Sequence, residues 1–249
     1  MTFIIYSLAR TGSTSLARAL NLHPGISCLV EPFNPDTSHL GGRLPALASA
    51  GDLQSALKSI AREYNGIKHV ASPYGFPFQG CGPALNLALL DQPGYRYIYL
   101  HRRNLLRRLV SAEVAKQCRV WHFWNDEYRS RRDSFNFQPL DIGDLRTKLA
   151  RDAAFGSETL GYLRGSGHPC LELAYETLFS ADPAARLAIF DEIARFLDLP
   201  PWTAPSQALS DTLSSTVTWT NSPAIYHRIP NIAAIETALG ADETGHLFP

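Results

Sequence analysis

Phe3-Ile4-Ile5-Tyr6-Ser7-Leu8-Ala9-Arg10-Thr11-Gly12-Ser13-Thr14-Ser15-Leu16 stands almost at the start of the chain. Phe3 to Tyr6 is a β-branched and aromatic run of the kind that forms a buried strand, and Leu16, Ala17, Ala19 and Leu20 recur at helical spacing. The stretch therefore predicts strand, tight loop, helix. Such a loop aims backbone N–H groups and the positive end of a helix at one point, and here Ser and Thr hydroxyls and Arg10 surround that point. It suits a phosphate or a sulfate. A Ser/Thr-rich turn that merely caps a helix would share part of the pattern.

A nucleoside-triphosphate loop needs Gly-x-x-x-x-Gly-Lys-Ser/Thr, whose lysine reaches the phosphates and whose hydroxyl holds magnesium. No glycine opens the loop here, Gly12 is followed by Ser13, and the basic residue stands ahead of the glycine as Arg10. A second anion site is suggested by Arg103, at the end of the strand-like run Tyr95 to Leu100, and Ser111, two turns into the helix that follows. An arginine fork and a hydroxyl converging on one point suit a phosphate.

Together these stretches resemble the sulfotransferases. Arg10-Thr11-Gly12-Ser13-Thr14 is similar to that family's 5′-phosphosulfate loop, Arg/Lys-x-Gly-Ser/Thr-Thr, between its first strand and first helix. Arg103-Asn104, with Ser111 eight positions after the arginine, resembles its 3′-phosphate-binding segment. Leu173-Ala174-Tyr175-Glu176-Thr177-Leu178 looks like its late Tyr-Glu-Asp-Leu segment, with Thr177 in place of the aspartate. The resemblance spans Phe3 to about Leu197. It implies a three-layer α/β fold on a mainly parallel sheet, and 3′-phosphoadenosine 5′-phosphosulfate (PAPS) as donor with no metal. Arg10, Thr11, Gly12, Ser13, Thr14 and Ser15 would hold the phosphosulfate, Arg103 and Ser111 the 3′-phosphate, and Tyr175 would lie near the adenine.

For the acceptor's proton the resemblance implies one of two bases. Glu31 matches the glutamate that bacterial glycolipid-modifying members carry soon after the first helix, and His69 is the nearest match to the histidine of the cytosolic small-molecule type. Glu31 is the favoured base, and Arg10 is placed to stabilise charge on the bridging oxygen. By position alone Glu31 also fits an acid that ends a strand before Pro32, and His69 a structural strand histidine. The C-terminal Arg-Lys-Gly-x-x-Gly-x-x-Lys segment of the cytosolic enzymes is missing. A small-molecule kinase with a degenerate loop and a non-catalytic nucleotide-binding protein are the competing readings.

The 249 residues suit one α/β domain, 1–249, and 45% hydrophobic with 18% charged residues is ordinary for a globular chain. Lys plus Arg and Asp plus Glu both number 23, so no global charge points to nucleic acid or to an acidic membrane surface. The balance conceals a local excess: nine basic residues stand against three acids between Arg102 and Arg132, a concentration suited to a polyanionic ligand. Cys28, Cys81, Cys118 and Cys170 are scattered, with no metal-ligand spacing, and predict reduced, mostly buried thiols. No run reaches the roughly 18 apolar residues of a membrane helix, and the N-terminus enters a strand without a signal-peptide pattern. A cytoplasmic, bacterial enzyme is the expectation.

Along the chain, strands are expected at 26–30, 67–71, 95–100 and 170–174. Helices are expected at 53–64, 82–90, 105 onward, 144–163, 183–197 and 232–239. Asp182 would cap the helix that begins at Pro183. Residues 34–51 and the aromatic, basic segment 120–137 would form lids over a small-molecule, carbohydrate or lipid acceptor; aromatics beside arginines also suit single-stranded nucleic acid, but no net basicity accompanies them. From Pro200 the chain would be irregular, with Trp202 and Trp219 as packing anchors.

Overall fold

The opening run makes β1, Thr2–Leu8, and its unbroken apolar character matches its place at the centre of the sheet, covered on both faces. The computed structural model describes residues 2–34, 49–73, 87–121, 126–179, 182–202, 207–213 and 223–248. They belong to two compact units, Met1–His101 with Gly156–Leu213, and Arg102–Phe155 with Ser214–Pro249.

In the first unit β1 is followed by α1 (Ser13–Leu20), β2 (Cys28–Val30), α2 (Ala50–Ile60), β3 (Gly66–Ala71) and β4 (Tyr95–His101). The five-stranded sheet is completed by β5 (Cys170–Ala174) and runs β2-β3-β1-β4-β5, every pair parallel. All carboxyl ends thus lie on one edge. The chain winds one way from β1 to β2 and the other way through β4 and β5, so the sheet's topological switch point falls at the end of β1.

Alternation divides the sheet's faces. Phe3, Ile5, Ile98, Leu100 and Leu173 pack in one core with Leu16, Ala17 and Leu20 of α1 and with Ile189, Phe190 and Ile193. On the other face two of the buried phenols find acceptors in the helices that cover them, while Tyr6 Oη has no hydrogen-bond partner among the described residues. Tyr97 Oη donates to Leu89 O at 3.0 Å, and Tyr99 Oη donates to Gly156 O at 3.2 Å. Helices on both sides of a parallel sheet make a three-layer α/β architecture, as the resemblance implies.

In the second unit the helix after β4 is α3 (Leu105–Cys118), followed by α4 (Asp126–Ser134) and α5 (Ile142–Gly165), whose last ten residues belong to the first unit. After β5 come α6 (Tyr175–Leu178), α7 (Pro183–Phe196) and α8 (Gln207–Leu213) in the first unit, then α9 (Pro223–Tyr226) and α10 (Ile232–Leu239) in the second. Asp182 caps α7 as its sequence predicts, Oδ1 accepting from Ala184 N at 2.9 Å.

Several expectations shift. β2 is only three residues long, and α2 begins a turn early because Ser49 caps it, Oγ accepting from Asp52 N at 3.2 Å. Gly66 opens β3, and the helix ends at Ile60 rather than Tyr64. The segment after Pro200 carries the helix α8, which packs beside α1. Residues 87–90 are helical, as predicted for the end of 82–90. Most of the expected lid 34–51, residues 122–125 of the other, Cys81 and Trp219 lie outside the described residues.

Trp202 packs against Phe190 at 5.0 Å and His23 at 4.9 Å. Cys28, Cys118 and Cys170 are free thiols, and burial pushes Cys170 up to about 11. Among the described residues no helix is long and apolar enough to cross a membrane.

Candidate functional site

The loop between β1 and α1 is built on two left-handed residues, Arg10 at φ 66° and Gly12 at φ 80°, with Thr11 between them. Thr11 is buried and pins the turn, its Oγ1 donating to Leu8 O at 2.8 Å. Gly12 is the N-cap of α1 and offers no side chain to the first turn. The N–H groups of that turn have no carbonyl of a preceding turn to bond, so the helix start presents donors and positive potential to an oxyanion. Ser13 is buried at the first helical position, and Thr14 and Ser15 follow half-buried. Ser7, two residues before the loop, is wholly buried, and its hydroxyl has no hydrogen-bond partner among the described residues.

Across the loop stands an aromatic wall. Tyr175 opens α6 directly after β5, and its ring lies 4.6 Å from that of Phe179. A Cβ on Gly12 would come within 2.4 Å of Phe179 Cε2 and 3.1 Å of Tyr175 Cδ2, so both rings press on the glycine itself. Tyr175 is therefore beside the loop, and Phe179, not singled out from the sequence, is closer still.

Glu31 follows the end of β2, and His69 stands within β3, paired in register with Tyr6. Glu31 follows β2 in a left-handed conformation, φ 49°, and is 6% exposed. Its backbone N–H donates to Lys68 O at 2.8 Å, its Oε1 accepts from Lys68 Nζ, and its Oε2 accepts from Asn34 Nδ2 at 2.6 Å. Both carboxylate oxygens are engaged. His69 is 1% exposed, on the opposite face of β3 from Lys68, with its ring 5.5 Å from Tyr6 and 6.3 Å from Phe33.

Sequence reasoning missed Lys68. It is 1% exposed, level with Ile5 and Val30 in the sheet, and besides Glu31 it donates to Thr14 Oγ1 at 3.1 Å. Burial lowers its pKa, and the Arg10 charge lowers it further, while Glu31 and Cys28 act in the opposite direction. A lysine amid Ile67, Val70 and Ala71 was the available signal, because a cation in a buried strand requires a counter-charge.

Arg103 and Ser111 belong to the second unit. Arg103 is exposed immediately before Asn104, the N-cap of α3, and Ser111 is buried within α3. Much of the surrounding basic run is committed locally. Arg108 forms a buried ion pair with Asp152, Arg107 Nε donates to Leu247 O at 2.9 Å, and Arg132 pairs with Asp133 at 2.7 Å. The aromatics of 120–137 are partly spent in the same way: Phe137 is core, with the Arg228 guanidinium 5.2 Å from its ring centroid, and Phe135 and Tyr128 pack against that core. Among the described residues no group of three or more His, Cys, Asp or Glu side chains gathers as a metal site.

No protein-family model and no curated protein sequence matches the chain. Among solved structures it is similar to the sulfotransferase domain from the curacin biosynthetic pathway, at 15% identity and a TM-score of 0.45, over 86% of this chain and 77% of that one. It is also similar to the sulfotransferase domain from the Synechococcus PCC 7002 olefin synthase, at 19% identity and a TM-score of 0.40, over 93% of this chain and 85% of that one.

Proposed function

We propose that this chain is a sulfotransferase that moves the sulfuryl group of PAPS to a hydroxyl or amine of a small-molecule, carbohydrate or lipid acceptor. The observation that carries the reading is the start of α1. It is a helix N-terminus with glycine for a cap, set at the switch point of a parallel sheet, with Arg10 ahead of Gly12 and no lysine behind it. That arrangement suits a phosphosulfate better than a magnesium-bound triphosphate.

In the proposed reaction the acceptor oxygen or nitrogen forms a bond to sulfur as the bond from sulfur to the 5′-phosphate oxygen breaks. The acceptor's proton passes to a base, and adenosine 3′,5′-bisphosphate (PAP) leaves. Positioning and neutralisation of developing charge carry such a transfer. Arg10 and the hydroxyls of Thr11, Ser13, Thr14 and Ser15 are assigned to the phosphosulfate, Arg103 and Ser111 to the 3′-phosphate, and Tyr175 to the adenine. Glu31 or His69 is assigned to the proton.

Calorimetry with PAP and adenosine 5′-phosphate, followed by a labelled-PAPS transfer screen on carbohydrate, lipid and phenolic acceptors, tests the reading. Tight PAP binding with transfer supports it. Magnesium-dependent ATP binding in place of PAP binding would favour a kinase, and PAP binding without transfer to any acceptor a non-catalytic nucleotide-binding protein.

A further inference from the structure

Lys68 poses an energetic question. An ammonium taken out of water costs several kcal/mol even when paired, and an apolar residue in its place is often neutral or stabilising. Its neighbours in register, Ile5 and Val30, show that apolar side chains suit that face of the sheet. The pair with Glu31 therefore does not explain why a lysine is there. Its other bond does.

Nζ has only hydrogens to offer, so in the 3.1 Å contact Thr14 Oγ1 must be the acceptor. A hydroxyl that accepts from a cation keeps its own proton to donate, and it is a stronger donor for being polarised. Thr14 stands in the first turn of α1, two residues after Gly12, where the anion would sit.

We propose that Lys68 is a positioning residue for the anion loop. Its ammonium commits the Thr14 hydroxyl as a donor to the loop's oxyanion, and Glu31 is the counter-ion that holds the ammonium in place. The role rests on the reading that a phosphate-like group occupies this loop. It also supplies what the loop's own sequence omits: the cation that a triphosphate loop carries after its second glycine acts here from β3, through a hydroxyl.

The test is calorimetry with two probes, PAP and inorganic pyrophosphate, on five proteins: wild type, Thr14→Val, Thr14→Ser, Glu31→Gln/Lys68→Met, and Thr14→Val combined with that double change. The neutralised pair and Thr14→Val are each expected to weaken PAP binding about tenfold, the low end for a charged hydrogen bond. Thr14→Ser should bind as wild type, and the triple variant should bind no worse than Thr14→Val, since Lys68 works through that hydroxyl. Losses that multiply in the triple variant, or a neutralised pair that binds as wild type, overturn the proposal. If the neutralised pair does not fold, Thr14→Val decides alone, and undiminished affinity overturns the proposal. Pyrophosphate binding with the same non-additivity but no PAP binding would sink the nucleotide reading and leave the positioning role standing. Binding of neither probe by the folded wild type would sink both.

Discussion

Gly12 and Phe179 are in such close contact that a Cβ on Gly12 would lie 2.4 Å from the Phe179 ring. Two separate penalties therefore attend Gly12→Ala. The left-handed φ of 80° costs a non-glycine residue about 1–2 kcal/mol, and forcing a packed ring aside costs about 1–3 kcal/mol more. Urea denaturation should show a loss within the sum of those ranges. Adding Phe179→Ala should remove only the packing part, so the two changes should cost less together than separately.

The Glu31–Lys68 pair predicts an unusual order of stabilities. Glu31→Gln or Lys68→Met alone leaves a buried charge without its partner and should cost about 3–5 kcal/mol. The double variant removes both charges and should be more stable than either single. Strictly additive losses in urea titrations would mean that the two side chains do not share one buried site.

What was legible in the sequence was local. The apolar run of β1, the helical spacing after Gly12 and the cap at Asp182 each involve neighbours within a few positions, and all are in place. The shortness of β2 and the early start of α2 depend on a strand end and a capping hydroxyl, which periodicity does not register. The Lys68 contacts span 37 residues to Glu31 and 54 to Thr14, and only the parallel register of β2, β3 and β1 brings them together. Likewise the sequence displays Arg108 and Phe137 as members of a basic, aromatic run, but their burial against Asp152 and Arg228 is a fact of packing.

Alkaline pH should unfold this protein through its tyrosines. The chain has ten, and those on the β1–β4 face resist ionisation: burial pushes Tyr99 up to about 12 and raises Tyr6 and Tyr97 further. An unfolded tyrosine ionises near pH 10. Each raised value therefore contributes stability that is complete below about pH 10 and is lost as pH rises toward the folded value. Ultraviolet titration of phenolate should show three tyrosines withheld until unfolding. Ten tyrosines titrating together near pH 10 with the fold intact would contradict their burial.

Asn104 ties the chain's end to α3. Its Oδ1 accepts from Arg107 N at 2.8 Å as the helix cap, and its Nδ2 donates to His246 O at 2.8 Å. Gly245, at φ 84°, has no room for a Cβ beside it. Asn104→Ala removes the cap and leaves a carbonyl without its donor, at about 1–3 kcal/mol. Asn104→Asp keeps the capping acceptor and loses only the donor, so it should cost less than alanine in the same urea experiment. Equal costs would show that the bond to His246 carries the whole effect.

Arg103 stands just outside that cap and is exposed, so removing its side chain should leave stability within about 0.5 kcal/mol of wild type. Its proposed work is on a ligand. A guanidinium bonded to a 3′-phosphate is worth ~1.5–3 kcal/mol, and adenosine 5′-phosphate has no such group. Arg103→Ala should therefore weaken PAP by that amount and leave adenosine 5′-phosphate unchanged, erasing the preference between them. Raising salt should narrow the same gap in the wild type, because the lost contact is charge on charge. A variant that keeps the preference in full would move the 3′-phosphate away from Arg103 while leaving the loop at Gly12 as the anion site.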